Sequence, residues 1–368
     1  MIVGMTGAEG LIDWHLRCYL RTVPDIQVKV AGREAFQDPE AMTAFVRDCD
    51  GIVHLAGVNR GEDQELYRTN MLLTRTLLKA CESSGSHPHL VFSSSIHADR
   101  DTAYGRSKRQ CSALMAEWAC QHDSRFTELV LPHVFGEGGR PFYNSVVSTF
   151  CHQLAHGDTC QVNGQTQVEL VHAQIVCREI LKVLVDRITG SYRLQGSPIS
   201  VGDLHDTLVH MASEYSAQII PDVTDPFRLA LFNTYRSYLF PQSYPVHLTR
   251  HVDDRGSLVE TVKSRQGGQT FISDTLPGIT RGNHFHAWKV ERFLVLAGEA
   301  EVCLRKLESG QIHTFQVSGD DPAYIDIPTL HAHSITNIGS EPLVTLFWSS
   351  AIYDPKDPDT YKELVREA

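Results

Sequence analysis

Over roughly the first 220 residues, short apolar runs rich in β-branched side chains alternate with longer segments whose apolar positions recur at helical spacing. Strands are expected at 1–5, 27–30, 51–56, 89–92 and 127–131. A helix over 65–82 puts Leu66, Leu73, Leu77 and Cys81 on one face, and one over 103–122 gathers Cys111, Leu114, Met115, Trp118 and Ala119. Strands alternating with helices imply an α/β doubly wound parallel sheet of the Rossmann type. Beyond about residue 245 the period changes. Short alternating segments at 258–262, 293–296, 300–305, 313–317 and 343–348 are separated by Gly, Pro, Asp and Asn, the signature of an all-β sandwich or barrel. Between the two textures, 221–245 carries Phe227, Leu229, Leu231, Phe232, Tyr235, Tyr238 and Leu239, too apolar for a free linker. It is expected to pack as a helix against the first domain. The boundary is set at 243/244, giving domains 1–243 and 244–368.

Bulk properties narrow the function. A length of 368 residues suits two domains, and a net charge of -11 argues against nucleic acid, whose phosphates need a basic face. No apolar run reaches the roughly 18 residues of a membrane span. Met1 leads straight into a strand, so no signal peptide is expected. Nine cysteines, an odd number without a CxxC pair, fit a reducing cytoplasm better than a disulfide framework.

The first strand runs into Thr6-Gly7-Ala8-Glu9-Gly10-Leu11-Ile12-Asp13. A glycine turn between a first strand and a first helix brings backbone N–H groups to a pyrophosphate. Gly7, Gly10, Leu11 and Ile12 are therefore cofactor candidates. The second strand ends at Arg33, where an acidic residue would hold a ribose hydroxyl; an arginine suits the 2′-phosphate of NADP(H) instead. His54-Leu55-Ala56-Gly57 ends the next core strand and resembles the adenine-side turn of extended short-chain dehydrogenases, which implies Leu55 and Ala56 as cofactor contacts; Asn70 matches the helix Asn common in that family.

Reactive chemistry is expected at Ser93-Ser94-Ser95 and at Tyr104 and Lys108, which stand four apart on one helical face. An ammonium beside a phenol would favour the phenolate and lower its pKa, making Tyr104 an acid–base for a carbonyl. Ser95, with Ser94 as second choice, would hydrogen-bond the same oxygen. Leu131-Pro132-His133-Val134-Phe135-Gly136 resembles the substrate segment of extended short-chain dehydrogenases, which implies His133 and, just beyond, Arg140 and Asn144 as candidates for the substrate.

The other half carries a spaced set: Gly278, His284, His286, Glu291 and Gly298, then Pro328, His333 and Asn337. His284 and His286 alternate on a strand and face one way; Glu291 follows a turn; His333 comes from a distant strand. Three imidazoles and a carboxylate suit a divalent ion such as zinc. Leu330 and Pro322 stand where such a pattern usually has glycine, and His331 lies off the pattern.

These motifs resemble two families. The glycine turn, the serines and Tyr104–Lys108 are similar to extended short-chain dehydrogenases, with Asp13 in place of the third glycine and His133 in place of an Asn. The histidine set resembles the metal-binding cupins, which are jelly-roll barrels. Asp254-Arg255-Gly256 and Arg281-Gly282-Asn283-His284 also resemble dTDP-sugar 3,5-epimerases, in which the matching histidine is a base; ligand is the preferred role for His284. Over nearly its whole length the chain resembles the bifunctional capsular polysaccharide enzymes of the UDP-N-acetyl-L-fucosamine pathway. The segments His54-Leu55-Ala56-Gly57-Val58-Asn59-Arg60 and Val252-Asp253-Asp254-Arg255-Gly256-Ser257 carry that likeness. It implies a cytoplasmic homodimer acting on a UDP-2-acetamido-2,6-dideoxy-4-ketohexose. The cupin would invert carbon 3 and the reductase would reduce carbon 4 with NADPH, giving UDP-N-acetyl-6-deoxy-L-talosamine. Two other readings remain open: a monofunctional reductase with a structural or dimerising cupin, and a non-enzymatic NADP(H)-sensing regulator.

Overall fold

A computed structural model describes Met1–Arg366. It divides into two compact units: Met1–Phe135 with Gln167–Ile199, and Gly136–Thr166 with Ser200–Ala368.

In the first unit the parallel strands Gln27–Ala31, Ile2–Thr6, Gly51–His54, His89–Ser95, Phe126–Leu131 and Gly190–Arg193 lie side by side in that order. The chain reverses direction across the sheet at Ile2–Thr6, so the crevice between its carboxyl end and that of Gly51–His54 is the switch point where doubly wound sheets bind ligands. Two apolar layers fill the faces. Met42, Ile52, Leu77, Leu90 and Met115 lie on one, and Val3, Met5, Leu16, Val91, Leu129 and Ile180 on the other. The helix Asp63–Ser84 ends at Gly85, whose φ of 66° supplies the left-handed stop. Ala103–Gln121 starts at Thr102, whose Oγ1 accepts from Gly105 N at 3.0 Å. Gly105 is required there, because a Cβ would overlap the Arg100 carbonyl oxygen.

The second unit combines the helices Val146–His156, Val201–Ser216 and Pro226–Leu239 with two five-stranded sheets. One runs Val246–His247, Ala323–Ile327, Glu291–Ala297, Leu343–Ser349, Gln269–Thr275; the other Ile312–Ser318, Glu299–Lys306, His331–Asn337, Thr280–Phe285, Tyr361–Lys362. Pairing within both is antiparallel. Phe293, Val295, Ile325 and Phe347 of the first meet Val302, Leu304 and Ile335 of the second in one core. This is a cupin-like sandwich, as the spacing implied.

The apolar connection forms a helix, Pro226–Leu239, which packs on the helices Val146–His156 and Val201–Ser216, within residues 1–243 as expected, and also bonds to the barrel. That second attachment is polar. Arg236 donates to Ile327 O at 3.3 and 3.2 Å, and Asn233 Nδ2 to Trp288 O at 2.7 Å. Beside them Arg292 grips Asp326 with two bonds of 2.6 and 2.8 Å, both side chains almost without exposure. The Tyr215 hydroxyl donates to Asp326 Oδ2 at 2.6 Å and meets the Tyr244 hydroxyl at 2.7 Å. Burying such ions costs several kcal/mol each, approximately, unless every lone pair finds a donor. The helices supply those donors, so helices and barrel form one body.

Candidate functional site

At the switch point Gly7 has a φ of 95°, and a Cβ there would sit 2.8 Å from Ala56 N. The turn therefore lies flat on Leu55 and Ala56, both beyond the end of their strand at His54 rather than within it. Thr6 fastens the pair: its Oγ1 meets His54 Nδ1 at 2.8 Å and accepts from Ala56 N at 3.2 Å. Gly10 caps the helix Leu11–Leu20, leaving Leu11 and Ile12 in its first turn with N–H groups aimed outward. Asp13, at the third-glycine position, is buried and bound to Arg17 at 2.8 Å, while Arg17 also reaches Ala8 O at 3.3 Å. An ion pair thus braces the turn where close glycine packing was expected. Arg33 is exposed at the mouth and pairs with Glu9 of the turn at 2.8 Å.

Deeper in the crevice stand the reactive side chains. Tyr104 stands within electrostatic reach of Ser95, the last residue of its strand, whose hydroxyl also accepts from His97 N at 3.2 Å. Ser94 points the other way; it is buried, and its hydroxyl has no hydrogen-bond partner among the described residues. Lys108 Nζ donates to Ser93 O at 2.7 Å and stands 5.7 Å from the Tyr104 ring centre. The expected lowering of the phenol pKa is absent: burial raises it, with Ser95 opposing. The ammonium is engaged by a carbonyl and is itself pushed down to about 8 by burial. A phenol that keeps its proton at neutral pH is a proton donor, which suits reduction of a carbonyl.

Asn70 is buried and acts as a strut. Its Oδ1 accepts from Val58 N at 2.8 Å; its Nδ2 donates to Val58 O and to Ser107 Oγ, both at 3.0 Å. It ties the 57–58 turn to the helix of Tyr104. His133, at the carboxyl end of the crevice, pairs with His97, Nε2 to Nε2 at 3.2 Å, and its Nδ1 meets Glu169 O at 3.2 Å. His97, two residues past Ser95, was not singled out, although a titratable group so placed is a detectable signal. Arg140 and Asn144 lie in the second unit; both are exposed, Arg140 with its guanidinium 5.0 Å from the Tyr143 ring centre.

The second unit brings His284, His286, Glu291 and His333 together, with one ligand atom from each within 4.8 Å of all the others. His284 and His333 face each other across paired strands, through a bulge at Gly282–His284 where Asn283 has a φ of 55°. His286 lies just past the strand end at Phe285 instead of alternating along it, and Glu291 opens a strand of the other sheet. His331 is outside the cluster, its Nδ1 bound to Thr329 O at 2.8 Å. Leu330 takes a φ of 59°, the left-handed conformation that explains why glycine is usual there.

The donor set fits a cation. His286 Nδ1 faces Asp359 O at 2.6 Å and His333 Nδ1 faces His331 O at 3.2 Å. A carbonyl only accepts, so both Nδ1 atoms carry hydrogen and both Nε2 atoms present lone pairs. Those lone pairs point at one carboxylate oxygen, Glu291 Oε2, at 2.9 and 3.5 Å. Acceptors facing an acceptor need a proton or a cation among them; donors about 2.1 Å from zinc stand roughly 3 to 3.5 Å apart. His333 Nε2 is buried without a hydrogen bond, which suits a lone pair directed at a cation. Burial, then the neighbouring His333 and His286, drives the His284 pKa to about 3, and burial lowers that of His333. Burial alone would raise the Glu291 carboxyl, and only positive charge on the His286 and His333 side holds it well below its usual range, the part a bound cation would take over. Neutral imidazoles and an ionised carboxylate are the forms a metal takes.

Comparison with known proteins follows the same division. Residues 5–192 match the NAD dependent epimerase/dehydratase family, and 251–361 the polysaccharide biosynthesis C-terminal domain. The UDP-2-acetamido-2,6-beta-L-arabino-hexul-4-ose reductase of Pseudomonas aeruginosa is 33% identical over 372 residues, covering 100% of both chains. The crystal structure of the capsular polysaccharide assembling protein CapF from Staphylococcus aureus superimposes with a TM-score of 0.65 at 32% identity, over 99% of this chain and 100% of that one. RMD from Pseudomonas aeruginosa, solved with NADPH, shares the fold at 16% identity, with a TM-score of 0.56 over 65% of this chain and 99% of its own. No helix among the described residues is long and apolar enough to cross a membrane.

Proposed function

This chain belongs to the family of the UDP-2-acetamido-2,6-beta-L-arabino-hexul-4-ose reductase, with an NAD dependent epimerase/dehydratase half and a polysaccharide biosynthesis C-terminal half, and from that premise we propose a bifunctional nucleotide-sugar enzyme of capsular polysaccharide synthesis. Its substrate is a UDP-2-acetamido-2,6-dideoxy-4-ketohexose. The cupin epimerises carbon 3, the first unit reduces the carbon 4 ketone, and the product is UDP-N-acetyl-6-deoxy-L-talosamine. The enzyme works in the cytoplasm as a homodimer.

One observation carries the reading: a phenol kept protonated by burial, close to Ser95, with the Lys108 ammonium on the next turn of its helix. NADPH, when bound, supplies the hydride. Gly7, Gly10, Leu11 and Ile12 line the turn that receives its pyrophosphate, and Arg33 is the cation available to its 2′-phosphate. Ser95 and Tyr104 hold the ketone oxygen from two sides, and Tyr104 gives it a proton as negative charge develops. Lys108 stabilises the phenolate left behind. His133 borders this crevice on the substrate side, while Arg140 and Asn144 are assigned to the diphosphate and sugar. In the cupin, His284, His286, Glu291 and His333 would hold a zinc-like ion, which supplies Lewis acidity to a ketone oxygen. With its conjugate acid near pH 3, His284 is a poor proton acceptor, which favours the ligand role over the base.

Proton NMR in deuterated water tests both halves. Deuterium should enter carbon 3 of the 4-keto sugar-nucleotide without cofactor, and a new carbinol signal should appear only with NADPH. Reduction without exchange would leave a monofunctional reductase with a scaffolding cupin. Neither signal, with NADPH still bound, would leave a cofactor sensor.

A further inference from the structure

A segment that supplies none of the four donors closes the cupin cluster. From Pro358 to Val365 the chain runs as a strap along the edge of the second sheet, beside Thr280–Phe285. Tyr361 and Lys362 pair with Phe285 and His284, and Val365 N donates to Asn283 Oδ1 at 3.2 Å. Arg305, nearly buried, clamps the strap's end through Glu363 Oε1 at 2.7 Å, Leu364 O at 2.6 Å and Val365 O at 2.9 Å. Lys289 Nζ holds its start through Pro358 O and Thr360 Oγ1, each at 3.0 Å.

Asp359 sits between these anchors and reaches the cluster twice. Its carboxylate accepts three successive backbone N–H groups: Ala287 at 2.8 Å, Trp288 at 3.0 Å and Lys289 at 2.7 Å. Those residues form the turn that carries the chain from His286 to Glu291. Its carbonyl accepts from His286 Nδ1 at 2.6 Å. The same residue therefore fixes the path between two ligands, the ring orientation of one of them, and the tautomer that leaves Nε2 as the ligating atom. Charge-assisted bonds to three N–H groups of one turn are strong and directional.

We propose that Asp359 is a positioning residue of the metal centre: its carboxylate anchors the 287–289 turn so that its carbonyl can hold His286 in the ligating tautomer. This rests on the metal reading of the cupin. Outer-shell partners of this kind are worth about 10- to 100-fold in metal affinity. The carboxylate matters although only the carbonyl touches a ligand, because without its three bonds nothing ties residue 359 itself to the 287–289 turn and its carbonyl can rotate off the ring.

The test is cobalt(II) and zinc binding to the full-length protein, by chelator competition and by the visible spectrum of the cobalt form. Wild type and Glu291→Gln define the site; Asp359→Ala and Asp359→Asn probe the strap. Asn tolerates the left-handed φ of 42° at this position, so Asp359→Asn removes the charge without straining the backbone. The expected result is at least about tenfold weaker binding and a shifted cobalt spectrum in both Asp359 variants. NADP+ affinity should be unchanged, showing that the first unit is intact. Equal metal affinity and an identical spectrum in Asp359→Asn would overturn the proposal, as would variants whose only change is a lower melting temperature of the metal-free protein. If wild type binds no cobalt that Glu291→Gln abolishes, the metal reading falls and takes the proposal with it, an outcome distinct from an Asp359 variant that binds normally.

Discussion

The two candidate centres are built on opposite plans. In the first unit the reactive groups come from neighbouring pieces of chain: Tyr104 and Lys108 share one helical face, and Ser95 ends the strand just before it. In the second, four ligands come from three strands and the turn between two of them, and their orientation depends on a fifth segment arriving from the far end of the sequence. A centre made from one strand–helix unit inherits its geometry from local folding. A centre gathered across a barrel has its geometry only once the barrel is closed.

That contrast can be broken experimentally, and the largest effect is expected in the first centre. Tyr104→Phe should reduce ketone reduction by about 10²- to 10⁴-fold, the usual contribution of a general acid, with NADPH affinity unchanged by titration. Turnover near the wild-type rate would dismiss the phenol as proton donor. Next comes the second centre. His333→Ala or exhaustive chelation should abolish deuterium exchange at carbon 3, while reduction of an already epimerised substrate continues. Parallel loss of both activities would contradict two separable centres.

A subtler effect concerns pH. The Lys108 ammonium gives up its proton at about 8, against about 10.4 for an ordinary lysine, so reduction should decline as pH rises through 8. Stability should move the other way. Between those two values the unfolded chain binds the extra proton, so folding strengthens as pH rises through the window. Comparing urea midpoints of wild type and Lys108→Met at pH 7 and pH 9.5 isolates this contribution, and a difference that does not change with pH would refute it. The smallest effect is expected at the mouth of the first crevice. Glu9 competes for Arg33 through an exposed ion pair, so Glu9→Gln should tighten NADP+ by about two- to fivefold and leave NAD+ unmoved. Equal tightening of both would indicate a general charge effect instead of release of Arg33.

What the sequence disclosed follows the same line between local and gathered. Strand–helix alternation, the glycine turn, and the spacings of Tyr104–Lys108 and of the cupin ligands were legible because each is a period or an interval along the chain. Three things were not. The burial of Tyr104, which raises the phenol pKa where a fall is expected, comes from packing that no spacing reveals, as does the turn of the Lys108 ammonium to the Ser93 carbonyl. Asp359 lies in the stretch Asp354-Pro355-Lys356-Asp357-Pro358-Asp359-Thr360, which reads as a polar loop until its pairing is known. The apolar face of Pro226–Leu239 says that it packs on the helices before it, and it does; its second attachment, to the barrel through Arg236 and Asn233, goes to backbone carbonyls that no period reveals.

Modular shuffling of this protein has a cost that its sequence boundary conceals. A barrel excised at residue 244 would leave behind Tyr215, one of the donors to Asp326, and Arg236, which bonds the Ile327 carbonyl. The Arg292–Asp326 pair would then face water on a surface shaped to be dry. Transplants that keep residues 136–166 and 200–243 with the barrel should stay soluble, whereas those cut at the change of texture should precipitate. The natural cassette therefore includes its helices.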